Sequence, residues 1–298
     1  MTATQSGPES VEKTSQPFPW ITIACVGALL LACYGPVLSR LVAVWYTDAD
    51  MGHGFFVPLI AGYIAWQKRS EIEGLAPRPS WWGLAVMIWG GVQLYLGTLG
   101  AELYTARTSL VISIAGAVLL LGGKKYLRIF WFPIFLLFFM VPIPSVIYTE
   151  ITFPLQLLAS RVAENVISVL GIPILREGNV LELATQKLDV VEACSGIRSL
   201  LTLTFLSLVY GYFCEKRTWL RTVLFFSTIP IAIAANAARV TITGVLANFK
   251  PELAEGFFHE AEGWVIFMVA FAILAGVHQV LARAAKMIEK GHELNPAQ

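Results

Sequence analysis

Runs of apolar residues long enough to cross a lipid bilayer recur along this chain from residue 20 to residue 282, and they decide its fold class. A bilayer core takes about 20 predominantly apolar residues per helix. Segments near 20–38, 53–67, 81–99, 107–122, 129–147, 196–213, 222–246 and 263–282 supply eight expected spans, of which the second and fourth are short. Only 14% of the residues are charged and 56% are hydrophobic, where soluble domains carry about 25% charged residues. A soluble enzyme, intrinsic disorder and a disulfide scaffold are thereby excluded. The net charge of +1 gives no reason to expect nucleic acid as a partner. The expected class is an all-α polytopic membrane protein whose solvent is the lipid bilayer.

Orientation follows from Lys and Arg, which are retained on the cytoplasmic side of membrane proteins. Lys13, Lys68, Arg69, Arg78, Lys124, Lys125, Arg128, Lys216, Arg217, Arg221, Arg283, Lys286 and Lys290 all fall on one side of the eight-span arrangement, 13 of 21 basic residues. Both termini are therefore expected in the cytoplasm. Residues 1–18 show no cleavable signal pattern and read as a cytoplasmic tail. Residues 19–283 form one expected transmembrane catalytic domain with an external insert at about 148–195, and 284–298 a second tail.

That insert is the longest stretch outside the spans. From Glu150 to Leu170, Leu155, Leu158, Val162, Val166 and Val169 recur at helical spacing, which suits an amphipathic helix at the membrane surface. Gly171 and Pro173 end it. Leu181 and Leu183 alternate with Glu182, and Leu188 and Val190 flank Asp189, so a small β-hairpin is expected. Its second strand leads into Cys194 at the external start of the sixth span.

A helix N-terminus favours the thiolate form of a nearby cysteine, although cysteine also serves as a small buried hydrophobe. Cys25 and Cys33 lie eight residues apart in one apolar span, about 12 Å along its axis, too far to bridge. Within the seventh span lies Asn236-Ala-Ala-Arg239. An arginine inside a membrane helix is costly unless it faces protein, a partner or water. Residues three apart share a face, so Asn236 supports Arg239. Arg239 stands about eight residues, or about 12 Å, from the external end, within reach of the same surface as Cys194. A guanidinium there lowers a thiol pKa or holds a developing oxyanion; the alternative is a structural arginine joining two helices.

His259 lies in the external loop before the last span. Histidine takes a proton from a thiol and returns it to a leaving amine, though a lone loop histidine is also often merely solvated. His259-Glu260 is not a metalloprotease motif, because the residue four positions on is Gly263, and neither a metal nor a cofactor is expected. Cys194, Arg239 and His259 fall toward one membrane face, an arrangement suited to acyl transfer.

The ordered motifs Val191-Glu-Ala-Cys-Ser-Gly-Ile-Arg-Ser-Leu200, Ala235-Asn-Ala-Ala-Arg-Val240 and His259 resemble those of the exosortase family of membrane cysteine transpeptidases. Gly52-His-Gly-Phe-Phe-Val-Pro58 is similar to a segment near the second span of that family. The resemblance implies a bacterial inner-membrane enzyme with its site on the periplasmic face. Its partners would be exported, membrane-tethered proteins whose C-terminal sorting signal joins a Pro-Glu-Pro-like (PEP-CTERM) motif to a transmembrane helix and a basic cluster. By resemblance Cys194 is the nucleophile, His259 the general acid/base and Arg239 the oxyanion or thiolate stabiliser. Ser195 would cap the sixth helix and Arg198 contact the acidic residue of the motif. His53 would contact substrate or support the site, or equally satisfy a helix end. Some family members carry a further C-terminal domain, and here such an accessory function is expected from a separate protein of the exopolysaccharide system.

Two other classes compete. In a transporter of exopolysaccharide or lipid-linked precursors, Arg239 would be a countercharge in a water-filled path, but no inverted repeat is visible. In an assembly component, the polar residues would serve helix packing.

Overall fold

Apolar length alone makes helices here, because a chain in lipid must satisfy its backbone hydrogen bonds within each segment. The computed structural model describes residues 20–184, 186–190, 196–250 and 256–294. Among them six helices are long and apolar enough to cross a membrane, or up to seven if Lys124–Met140 and Ser145–Val169 count as one broken span. The protein is an all-helical polytopic membrane protein with one small sheet. Among the described residues this is fewer than the eight expected. The second expected span is the helix Phe56–Gln67, only 12 residues long, against the roughly 20 needed to cross. The fifth is interrupted at Val141-Pro142-Ile143-Pro144, where two prolines deny the backbone its donors.

The chain divides into two compact units. The first comprises residues 1–45 and 54–141. Its described helices are α1 (Trp20–Thr47, whose last two residues belong to the second unit), α2 (Phe56–Gln67), the short α3 (Arg69–Ile72), α4 (Trp81–Leu99), α5 (Leu103–Gly122) and α6 (Lys124–Leu136). Gly83, Gly90 and Gly97 repeat every seven residues along α4 and lie directly against α5. A methyl group on Gly97 would stand 2.7 Å from the Ala106 nitrogen, and methyls on Gly83 and Gly90 would meet Leu120 and Ser113 more closely still. Without a hydrophobic drive between helices in lipid, such small residues create the interface by letting backbones approach. Tyr34 adds a hydrogen bond to Ser113 Oγ at 2.8 Å.

The second unit comprises residues 46–53 and 142–298. It holds α7 (Ser145–Val169), β1 (Ile174–Glu177), β2 (Val180–Leu183), β3 (Lys187–Asp189), α8 (Ile197–Cys214), α9 (Thr218–Phe249) and α10 (Gly256–Leu294). The expected hairpin is a three-stranded antiparallel sheet in the order β1-β2-β3, pairing Ile174 with Leu183 and Leu181 with Leu188. Gly178, at φ +66°, makes the tight turn between the first two strands. The amphipathic helix is α7, and its faces are distributed as lipid demands. Thr152, Gln156, Ala159, Ser160, Ala163 and Ile167 are buried, whereas Leu158, Val162, Val166 and Val169 are exposed. Ala159, Ala163 and Ile167 form one apolar cluster with Leu181, Leu188 and Val190 from the sheet segment and Ala237, Val240 and Ala247 of α9. The sheet is thereby fixed beside the part of α9 that carries Arg239.

Candidate active site

Helical spacing puts Asn236, Arg239, Val240 and Thr243 on neighbouring positions of one side of α9. Two other elements close on this strip. At the start of α8, Gly196 adopts the left-handed conformation (φ 67°, ψ −29°), and a methyl group there would lie 2.9 Å from Asn236 Nδ2 and 3.0 Å from its Cγ. On α10, a methyl on Gly263 would lie 3.0 Å from Arg239 Nη2 and 3.1 Å from Cζ. Glycine at both positions lets a polar side chain of α9 lie flat on a neighbouring backbone. The Glu262 carboxylate accepts from Thr243 Oγ1 at 3.0 and 3.2 Å and stands within electrostatic range of Arg239. Arg239 is half-buried, so its charge is met by protein rather than by lipid.

Asn236 is 6% exposed, and its Nδ2 has no hydrogen-bond partner among the described residues. A buried donor left unpaired costs about 1–3 kcal/mol. It borders a cavity of about 10 Å³ lined by Leu155, Gly196, Leu200, Ala232, Ile233 and Asn236.

A second polar contact lies on α8. Arg198, Thr202 and Phe205 follow the i, i+4, i+7 spacing of one face, and Asp50 and His53 lie against it. Arg198 Nε donates to Asp50 Oδ1 at 2.8 Å, while Asp50 Oδ2 accepts from the Tyr148 hydroxyl at 2.6 Å. His53 is buried, with Nδ1 3.4 Å from Thr202 Oγ1 and its ring against Phe205. These contacts give His53 and Arg198 partners within the protein.

Cys194 and Ser195 lie outside the described residues. The segment holding them is bracketed by two described anchors. Val190, fully buried in the cluster with Ala237 and Val240, precedes it, and Gly196, packed on Asn236, follows it. Two residues of chain span at most about 7 Å. His259 belongs to the first turns of α10, whose side chains are described only from Ala261 onward; it precedes Gly263 by about one helical turn.

The opposite end of α8 is built differently. His278 Nε2 lies 3.3 Å from Glu215 Oε2, its Nδ1 lies 3.0 Å from the Tyr210 hydroxyl, and Arg217 grips Glu289 through Nε and Nη2 at 3.0 and 2.6 Å. The backbone N–H of Arg217, followed by His278 and the N–H of Lys216, holds the Glu215 carboxyl below the usual glutamate range. Among the described residues no group of three His, Cys, Asp or Glu side chains is spaced to hold a metal ion.

The profile of the transmembrane exosortases matches residues 45–276. The chain belongs to the exosortase family. The matched stretch takes in the turn bearing His53, the sheet, the sequence around Cys194, Arg239 and His259. No curated protein and no solved structure shows significant similarity to it. Sequence reasoning on this exosortase passed over Asp50, Tyr148, Thr243 and Glu262. For Glu262 a signal was present: an acidic residue at the mouth of an apolar span, three positions after His259.

Proposed function

We propose that this exosortase is a membrane cysteine transpeptidase that cleaves the C-terminal sorting signal of exported, membrane-tethered proteins and passes them to an envelope or extracellular amine. The observation that carries the reading is the strip on α9: Asn236 packs on Gly196, two residues along the chain from Cys194, and Arg239 packs on Gly263, one helical turn from His259. The family match supports an exosortase-type membrane protein, and the substrate class is what the resemblance of the Cys194, Arg239 and His259 motifs implies.

In this reading His259 takes the Cys194 proton and the thiolate attacks the scissile carbonyl near the Pro-Glu-Pro-like motif. The N-terminal end of α8 and the Arg239 guanidinium favour the anionic sulfur and the oxyanion that follows. Glu262, held by Thr243, orients Arg239. Collapse expels the hydrophobic tail with the proton from His259 and leaves a thioester, which the acceptor amine resolves. Lys216, Arg217 and Arg221 surround the far end of α8, so the positive-inside rule puts that end in the cytoplasm and the site on the periplasmic face. Arg198 is anchored by Asp50 and its side chain is 46% exposed, which supports a role in meeting the acidic residue of the motif.

The test is substrate maturation in membranes. Cys194→Ala should insert normally and leave the sorting signal uncut, and the parent should yield a hydroxylamine-sensitive thioester at Cys194. Maturation by Cys194→Ala at the parent rate sinks the mechanism.

A further inference from the structure

A buried donor with no acceptor is rare in native structures, because the group loses water and receives nothing in return. Asn236 Nδ2 is such a donor: the residue is 6% exposed, and Nδ2 has no partner among the described residues. Its surroundings are apolar. Leu155, Leu200, Ala232 and Ile233 line the adjoining cavity and offer no side-chain acceptor. The direction of the amide is set by Gly196, whose missing side chain leaves room for Nδ2 and Cγ within 3.0 Å of the place a Cβ would take. Gly196 also begins the helix that follows Cys194. Arg239 lies one turn further along α9, on the same side. The amide is thus held ready, unpaired, at the chain that delivers the nucleophile.

We propose that Asn236 is a further catalytic residue of this enzyme, its Nδ2–H donating to the carbonyl oxygen that becomes negative when Cys194 attacks; this rests on the transpeptidase reading above. As the Cys194 sulfur bonds to the carbonyl carbon, the C=O pair moves onto oxygen, which accepts from Asn236 beside the Arg239 charge. Collapse restores the C=O and breaks the C–N bond, and the leaving nitrogen takes the proton that His259 removed from the thiol. The carbonyl oxygen is a weak acceptor when substrate binds and a strong one once it carries the negative charge, so the gain in hydrogen-bond strength falls on the transition state rather than on substrate binding.

Two reactions of the same thiol separate this role from others. Attack on a membrane-anchored peptide bearing a Pro-Glu-Pro motif forms an oxyanion, whereas alkylation by iodoacetamide does not. Full-length protein in membranes or detergent should show acylation, and kcat, reduced about 10²–10³-fold in Asn236→Leu with little change in KM. Its iodoacetamide rate should equal the parent's, and its thermal midpoint should be equal or higher, since an unpaired buried donor has been removed. Asn236→Ala provides a second variant with the same kinetic expectation. Acylation at the parent rate in either variant overturns the proposal. A parallel loss of alkylation does so too, making Asn236 a positioning residue for the thiol. Peptide cleavage that survives in Cys194→Ala refutes the transpeptidase reading itself, and this inference with it, a result distinct from loss in Cys194→Ala with retention in Asn236→Leu.

Discussion

Replacing Gly196 with Ala probes the junction on which the candidate site is built. The residue sits at φ 67° and ψ −29°, and the left-handed conformation costs a residue with a Cβ about 1–2 kcal/mol. The new methyl would also stand 2.9 Å from Asn236 Nδ2 and 3.0 Å from Cγ. Forcing a shift in a packed interior costs about 1–3 kcal/mol more, so the substitution should destabilise the protein by about 2–5 kcal/mol. A stiffer unfolded chain returns less than this, about 0.4–1 kcal/mol. With Asn236→Ala in the background the steric part disappears and the conformational part remains. Gly196→Ala should then cost about 1–2 kcal/mol, giving a coupling energy of about 1–3 kcal/mol. Denaturant or thermal unfolding of the four proteins in one detergent measures the cycle. Equal cost in both backgrounds, within about 0.5 kcal/mol, refutes the packing of Asn236 on Gly196; no cost in either refutes the left-handed start of α8.

Asp50→Ala removes the acceptor of both Arg198 and Tyr148. With the Arg198 side chain 46% exposed, the loss should be discounted for solvent screening to about 1–2 kcal/mol, and Tyr148→Phe should add little on top of it; full additivity in the double variant would contradict the shared carboxylate. Glu215 has a folded pKa below its ordinary value, so it contributes stability above the unfolded glutamate pKa and loses it as pH falls through the folded one. Unfolding midpoints of the parent should decline over that acidic window more steeply than those of Glu215→Gln, and identical slopes would refute the role given to the Arg217 and Lys216 backbone.

Arg239 was legible because a guanidinium in an apolar span has few explanations, and Asn236 because it lies three residues away. Asp50 was not, since an aspartate in a polar connection looks solvated until the fold brings Arg198 to it from 148 positions away. For α7 the spacing identified an apolar face suited to lipid, but not which residues of the opposite face pack inward, because in lipid leucine gains nothing by burial and small or polar residues line the interface. Leu158 and Val166 are accordingly exposed, and Ser160 and Ala163 buried. The strand β1 escaped notice because Ile174-Leu-Arg-Glu177 does not alternate; pairing with β2 makes it a strand. Hydropathy marks the Phe56–Gln67 segment as a span, but hydropathy does not measure whether the helix continues.

The length of α8 has a consequence for how the membrane stays sealed. Its 18 residues rise about 27 Å, close to the thickness of a hydrocarbon core. The Asn236–Arg239–Glu262 layer and the Glu215–His278–Tyr210 layer therefore sit near opposite interfaces, with Leu203, Leu224, Ala232, Ala270 and Leu274 packed as an apolar cluster on the helices between them. On the transpeptidase reading proposed above, water and an acceptor amine would reach the Arg239 layer from one end of these helices, with the apolar cluster between the two layers sealing that path from the other end.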